Sequence, residues 1–182
     1  MQLTDKEKTI LLDIAKNAIA AKMNNQELPE LKIDSATLKL KRGAFVTLKK
    51  KGHLRGCIGY IKAYKPLGET VQEMAVAAAF HDPRFPSLKP EEVPHLTFEI
   101  SVLTPFTRVR DIQEIEVGKH GLYMARGHRS GLLLPQVAVE YGWDRETFLK
   151  ETCHKAGLPL DAWMDEETEI YTFSADYFGD KD

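Results

Sequence analysis

The chain has 182 residues, of which 43% are hydrophobic and 29% charged, with 25 basic against 27 acidic side chains and a formal charge of −2. That length buries a full core in one domain, or one domain with a small appendage, and the composition is that of an ordinary globular protein. No apolar run approaches the ~20 residues of a membrane span, the near-neutral charge supplies no global field for nucleic acid or an anionic membrane, and two cysteines give no disulfide framework.

MQLTDKEKTI lacks the charged-then-apolar order and cleavage site of a secretory signal, so a reduced, cytosolic setting is expected. Thr4-Asp5-Lys6-Glu7 has the form of a capping box, and Ile10, Leu11, Ile14, Ala15, Ala18 and Ile19 then recur at helical spacing, predicting an amphipathic helix that ends near Asn24. After Pro29, TLKLKRGAFVTLKKKGHLRGCIGYI alternates apolar and polar residues, with Arg42-Gly43 and Lys51-Gly52 as punctuation, predicting a three-stranded meander with Cys57 on its third strand. Between Ser35 and Leu54 lie Lys39, Lys41, Arg42, Lys49, Lys50 and Lys51 and no carboxylate. This reads either as a solvated hairpin with lysine-guarded edges or as a weak anion-binding surface.

Pro66 opens a second helix through LGETVQEMAVAAAF, with Val71, Met74, Ala75, Ala78 and Ala79 as its apolar stripe. Four prolines from Pro83 to Pro94 then predict an ordered loop with little regular structure. In HLTFEISVLT, Phe98, Ile100 and Val102 share one face of a strand while Thr97, Glu99 and Ser101 share the other. EIEVGKHGLYMA and SGLLLPQ read as strands about an Arg126-Gly127 turn, Pro135 starts a helix that Gly142 stops, and Asp144 caps another that buries Phe148, Leu149 and Cys153 before Gly157. EIYTFSADYF reads as one late strand. Strand runs with few regular crossovers argue for an α+β fold with a mainly antiparallel sheet, and the segment 111–165 reads as a smaller lobe within a single 1–182 domain.

Three places carry groups suited to chemistry. Cys57 lies between Gly56 and Gly59, two residues after Arg55, where a cation would favour the thiolate and burial would oppose it; the alternatives are a nucleophile and a packed core cysteine. His81-Asp82-Pro83-Arg84-Phe85-Pro86 joins a base, a carboxylate, a guanidinium and an aromatic ring in a stiff frame, or else Asp82 caps the turn, Arg84 pairs with it and Phe85 fills the core. His120, in Gly-Lys-His-Gly, is either a base or a hydrogen-bonded turn residue. The remaining histidines lack metal-ligand spacing, and phosphate-binding glycine loops are absent, so neither a metal nor another cofactor is indicated.

Taken together, Leu54-Arg55-Gly56-Cys57-Ile58-Gly59, Asp82-Pro83-Arg84-Phe85-Pro86, Val117-Gly118-Lys119-His120-Gly121, Leu134-Pro135-Gln136-Val137, Trp143-Asp144 and Lys155-Ala156-Gly157-Leu158 closely resemble the motif blocks of the AMMECR domain family, the first component of the AmmeMemoRadiSam grouping. The resemblance covers nearly the whole chain. It implies an α+β fold of two lobes, a larger antiparallel sheet flanked by helices and a smaller lobe, with the shared motifs lining a cleft between them. It also implies a cytosolic protein whose relatives occur beside, or fused to, radical SAM and Memo-like proteins, which are its candidate partners, and it supplies no reaction.

Two functions follow as expectations. In the first, a thiol-dependent enzyme modifies a small anionic substrate, with Cys57 as nucleophile, His120 as base, Arg55 and Arg84 as anion clamp, and Asp82 or Glu99 as the orienting carboxylate. Gly56, Gly59 and Gln136 join these as substrate-binding positions. In the second, a non-catalytic binding or scaffold module holds a metabolite or peptide for those partners. Nucleic-acid binding through the lysine-rich hairpin is a minor third reading, since the hairpin lacks interleaved aromatics.

Overall fold

The structure, a computed structural model, describes residues 2–180. In chain order its elements are α1 (Asp5–Met23), α2 (Ala36–Lys39), β1 (Ala44–Lys50), β2 (His53–Tyr60), α3 (Leu67–Phe80), β3 (Leu96–Leu103), β4 (Thr107–Arg108), β5 (Gly121–Arg126), β6 (Arg129–Leu133), α4 (Pro135–Tyr141), α5 (Arg145–Lys155), β7 (Glu169–Phe173) and β8 (Ala175–Gly179). Two four-stranded sheets form, in the orders β2-β1-β3-β8 and β4-β7-β5-β6, and the pairings within β2-β1-β3 and throughout the second sheet are antiparallel. The fold is α+β, with helices flanking antiparallel sheets.

One compact unit comprises the chain up to Leu103 together with the segment from Asp176. Helix α1 starts where sequence patterning places it: the Thr4 hydroxyl accepts from the Glu7 amide at 3.2 Å, and the Glu7 carboxylate accepts from the Thr4 amide at 2.8 Å. Its stripe of Leu11, Ile14, Ala15, Ala18 and Ile19 joins Val71, Met74, Ala75 and Ala78 of α3 over the sheet face made by Ala44, Val46, Leu48, Phe98, Ile100 and Val102. Each fully buried Val, Leu or Ile of that set contributes about 1.5–3 kcal/mol.

The second unit runs from Thr104 to Ala175. Its core gathers Ile115, Leu122, Met124, Ala138, Phe148, Leu149, Cys153 and Ile170, so Cys153 packs in a helix-to-sheet seam as its spacing predicts. Asp144 caps α5 by accepting from the Thr147 amide at 2.8 Å, and Gly142, at φ 66°, ends α4.

Four expected elements differ. The first third of the supposed meander is the short helix α2, because Ser35 caps it and Thr37 and Leu38 turn inward, so Cys57 lies on the second strand of a hairpin. The proline-rich loop contains a 3₁₀ turn, Pro90–His95, with Pro90 in its first turn, where a missing amide costs nothing. Of EIEVGKHGLYMA only the part from Gly121 is strand; the Glu116 carbonyl accepts from the Lys119 and His120 amides, closing a turn instead. The late strand is two strands, β7 in the second sheet and β8 in the first, separated at Ser174.

Candidate functional site

The β1–β2 hairpin turns at Lys51 and Gly52, whose φ values of 52° and 79° are those a tight two-residue turn requires. Pairing begins regularly, Lys50 with His53 and Lys49 with Leu54, and then shifts: Leu48 faces Gly56 and Thr47 faces Cys57, leaving Arg55 as the extra residue of a β-bulge. Without the bulge Thr47 would face Gly56, and Cys57 would pair with Val46 on the helix-covered face. The bulge therefore places the thiol on the polar face, where the Thr47 hydroxyl donates to Cys57 Sγ at 3.2 Å. On the far side of β1, Thr47 is paired with Glu99, whose carboxylate meets Lys49 at 2.9 Å.

The glycines serve backbone packing. A Cβ on Gly56 would lie 2.1 Å from the Ala78 carbonyl oxygen of α3, and one on Gly59 would lie 2.4 Å from the Phe45 ring, which covers it across the strand pair.

Strand β2 is an edge strand, and the segment after α3 closes that edge at Cys57. Asp82 Oδ2 accepts from the Cys57 amide at 3.0 Å, and Arg84 Nη2 donates to the Cys57 carbonyl at 3.3 Å. The two side chains hold each other: Arg84 Nε and Nη2 donate to Oδ1 and Oδ2 of Asp82 at 3.0 and 2.8 Å, while Oδ1 also accepts from the Arg84 amide at 3.0 Å. Asp82 is 4% exposed, and the Arg84 guanidinium, ahead of the amide bonds, holds its carboxyl well below the usual range against the opposing effect of burial. The Arg84 pKa rises for the same reason.

Arg55 is held through two of its nitrogens, while the third, Nη1, is buried without a hydrogen-bond partner among the described residues. Its Nε and Nη2 donate to the two Glu92 oxygens at 3.0 and 3.1 Å, and Nη2 also donates to the Pro86 carbonyl at 2.8 Å. Arg55 lowers the Glu92 pKa to about 2, assisted by the Lys89 amide and Lys50. Phe85 lies between the two cations, its ring centre 5.8 Å from the Arg55 guanidinium carbon and 5.5 Å from that of Arg84. The Cys57 thiol is half-buried, and burial pushes its pKa up; the Thr47 hydroxyl and Arg84 oppose this, while Asp82 and Glu99 add to it.

The AMMECR1 family model matches residues 12–178. The chain belongs to the AMMECR1 family. Its relatives include a protein of Methanothermobacter thermautotrophicus, 46% identical over 97% of this chain and 95% of the relative, and protein MK0488 of Methanopyrus kandleri, 44% identical over 100% and 92%. The crystal structure of the uncharacterized protein PH0010 from Pyrococcus horikoshii superposes with a TM-score of 0.94 at 41% identity, covering 100% of this chain and 95% of that one.

Of the candidate site residues, Arg55, Gly56, Cys57, Gly59, Asp82, Arg84 and Glu99 belong to the first unit; Arg55, Cys57, Asp82 and Arg84 make contacts at the bulged edge, while Glu99 lies on β3, across β1 from it. His120 and Gln136 belong to the second unit. There, His120 Nδ1 accepts from the Glu116 amide at 3.1 Å, and burial, then Lys119, lowers its pKa. Two participants, Thr47 and Glu92, are not among the candidates the sequence offers, and Lys49 enters there only as part of the lysine-rich hairpin. Thr47 follows from strand register only once the bulge is known, and Glu92 was signalled solely by its place three residues after Lys89, whose amide it accepts at 2.8 Å. Lys49 and Lys50 of the basic hairpin are engaged with Glu99 and Glu92. No group of three or more potential metal ligands occurs among the described residues, and no helix there is long and apolar enough to cross a membrane.

Proposed function

We propose that this AMMECR1-family chain is a ligand-binding module that reads a small acceptor-bearing molecule, a carboxylate or carbonyl compound, beside Cys57, and that the thiol is a contact and not a nucleophile. The observation that carries this reading is the state of Arg84. Its guanidinium is fixed by Asp82, by the Cys57 carbonyl and by the Phe85 ring, yet its side chain is 53% exposed and Nη1 takes no partner among the described residues. A donor held in place loses little entropy on binding. Asp82 balances its charge, so the group offers direction more than net field. A protonated thiol with a raised pKa suits a binding surface and opposes nucleophilic attack. Radical SAM and Memo-like proteins, which the resemblance implies as partners, would be the recipients of such a ligand.

Alkylation of the native protein by iodoacetamide across pH, with each cysteine assigned by mass spectrometry, tests the choice. Cys57 is expected to label slowly, with an apparent pKa at or above the roughly 8.5 of a free thiol, and Cys153 only on unfolding. A panel of small carboxylates should raise the melting temperature of the native chain and of Cys57→Ala but not of Arg84→Gln. Fast labelling of Cys57 with an apparent pKa well below 8.5 would overturn the binding reading in favour of a nucleophilic thiol. Gentle co-purification that recovers neither partner class counts against the delivery role.

A further inference from the structure

We propose that the molecule read by Arg84 is the C-terminal end of a partner peptide, added to the edge of β2 as a short antiparallel strand at Gly59 with its terminal carboxylate on the guanidinium. This rests on the binding reading above and names its ligand class.

The backbone supplies the first half of the site. Strand β2 is the last of its sheet, and the amide and carbonyl of Cys57 both point away from β1, since Asp82 and Arg84 hold them. Backbone groups along a paired strand alternate in direction, so Ile58 and Tyr60 turn theirs toward Val46 and Ala44, while Gly59 turns its amide and carbonyl outward. Neither Gly59 group has a partner among the described residues, and the residue is partly exposed. The clamp fills one rung of the edge and leaves the next one open, about 7 Å further along the strand.

Arg84 supplies the second half and fixes the direction. The Cys57 carbonyl, which Nη2 reaches at 3.3 Å, lies on the Gly59 side of its residue, so the guanidinium stands in the line that an added strand follows. A chain pairing at Gly59 must end there. If it runs antiparallel, its penultimate residue exchanges both backbone bonds with Gly59, its last residue lies opposite Ile58, and its carboxylate arrives at Arg84, where Nη1 has no partner among the described residues. A parallel strand would bring an ammonium terminus to the same cation, which repels it. The free carboxylate is therefore the end group that fits, and the exposed side chain of Arg84 leaves it open to a ligand.

Amide NMR of the unaltered, isotope-labelled chain tests this with four probes: acetyl-Ala-Ala-Ala as the free acid, its C-terminal amide, the free acid N-methylated at the penultimate residue, and propionate. The free acid should shift the Gly59 amide saturably. The C-terminal amide, which loses the charge, and the N-methylated acid, which loses the donor to the Gly59 carbonyl, should each bind about tenfold more weakly, as should propionate. Arg84→Gln should remove the preference for acid over amide, and the probe series on the unaltered chain decides the matter even where that variant unfolds. A Gly59 amide that does not move with the free acid, or equal affinity for the free acid and its N-methylated form, would overturn the proposal. Propionate binding as tightly as the free acid would overturn this inference alone and leave a small-carboxylate site standing, whereas no binding by either carboxylate would overturn the reading of Arg84 as well.

Discussion

The carboxylate of Asp82 accepts the Cys57 amide while holding the guanidinium of Arg84 against the Cys57 carbonyl, so both edge-facing backbone groups of one strand residue are satisfied by two side chains two positions apart. An edge strand left bare would invite pairing with another chain, and this clamp closes it at the bulged end of β2. Asp82→Asn keeps the shape but gives up the charge that holds Arg84. It should cost about 2 kcal/mol by urea unfolding, and Arg84→Gln, which leaves the buried Asp82 carboxylate without its cation, should cost at least as much at pH 7. A loss below about 1 kcal/mol from Arg84→Gln would mean that the clamp does not hinge on the pairing of the buried carboxylate.

Acid should undo the same region. Asp82 and Glu92 both have depressed folded-state pKa values, so each adds stability that is present above its unfolded pKa and is lost as pH falls through its folded pKa. For Glu92 that window runs from the ordinary value of 4.5 down to about 2, and its share is about 3 kcal/mol. Urea midpoints should therefore hold steady from pH 7 to about 5 and fall below that, with Glu92→Gln less stable at pH 7 and flatter in acid. A Glu92→Gln profile parallel to that of the unaltered chain would show that the Arg55 contact has no energetic weight.

How much of this was legible follows from the range of each signal. Thr4-x-x-Glu7 and Asp144 are local caps, and Phe98, Ile100 and Val102 mark a buried face by simple alternation, so those elements stood out in the sequence. Alternation alone misled where a short run fits two periods: Thr37-Leu38 reads as strand until the Ser35 cap is seen, and EIYTFSADYF gives no sign that the chain changes sheets at Ser174. At the site, Asp82 and Arg84 were readable as a turn pair because they are neighbours. The Cys57–Thr47 contact and the Arg55–Glu92 pair were not, because both depend on a single inserted residue in β2 and on contacts 10 and 37 residues apart.

Gly56 offers a test of how tightly that strand is held. A methyl group there points at the backbone carbonyl of Ala78 at 2.1 Å, where no rotamer change can relieve it, so α3 and β2 must separate. Gly56→Ala should cost about 3 kcal/mol, at the upper end for overpacking, with a lowered melting temperature and faster hydrogen exchange in β2. A loss below about 1 kcal/mol would show that α3 shifts freely and that the glycine is not required for packing.

The coupling between Arg55 and Glu92 separates the buried part of this network from its surface part. Arg55 is 8% exposed and Glu92 bridges it to Lys50, whose side chain is 37% exposed. Both cations meet the same carboxylate at 3.0 Å, so distance does not distinguish them; solvent does. A double-mutant cycle of Arg55→Met with Glu92→Gln should give a coupling of about 2 kcal/mol, because each single change leaves a buried group short of partners, while Lys50→Met with Glu92→Gln should give under about 1 kcal/mol. Raising the salt concentration should erase the Lys50 coupling and leave most of that of Arg55. Equal couplings, or equal screening, would place the Arg55 guanidinium in contact with water and remove the rigid support that the bulge gives to Cys57.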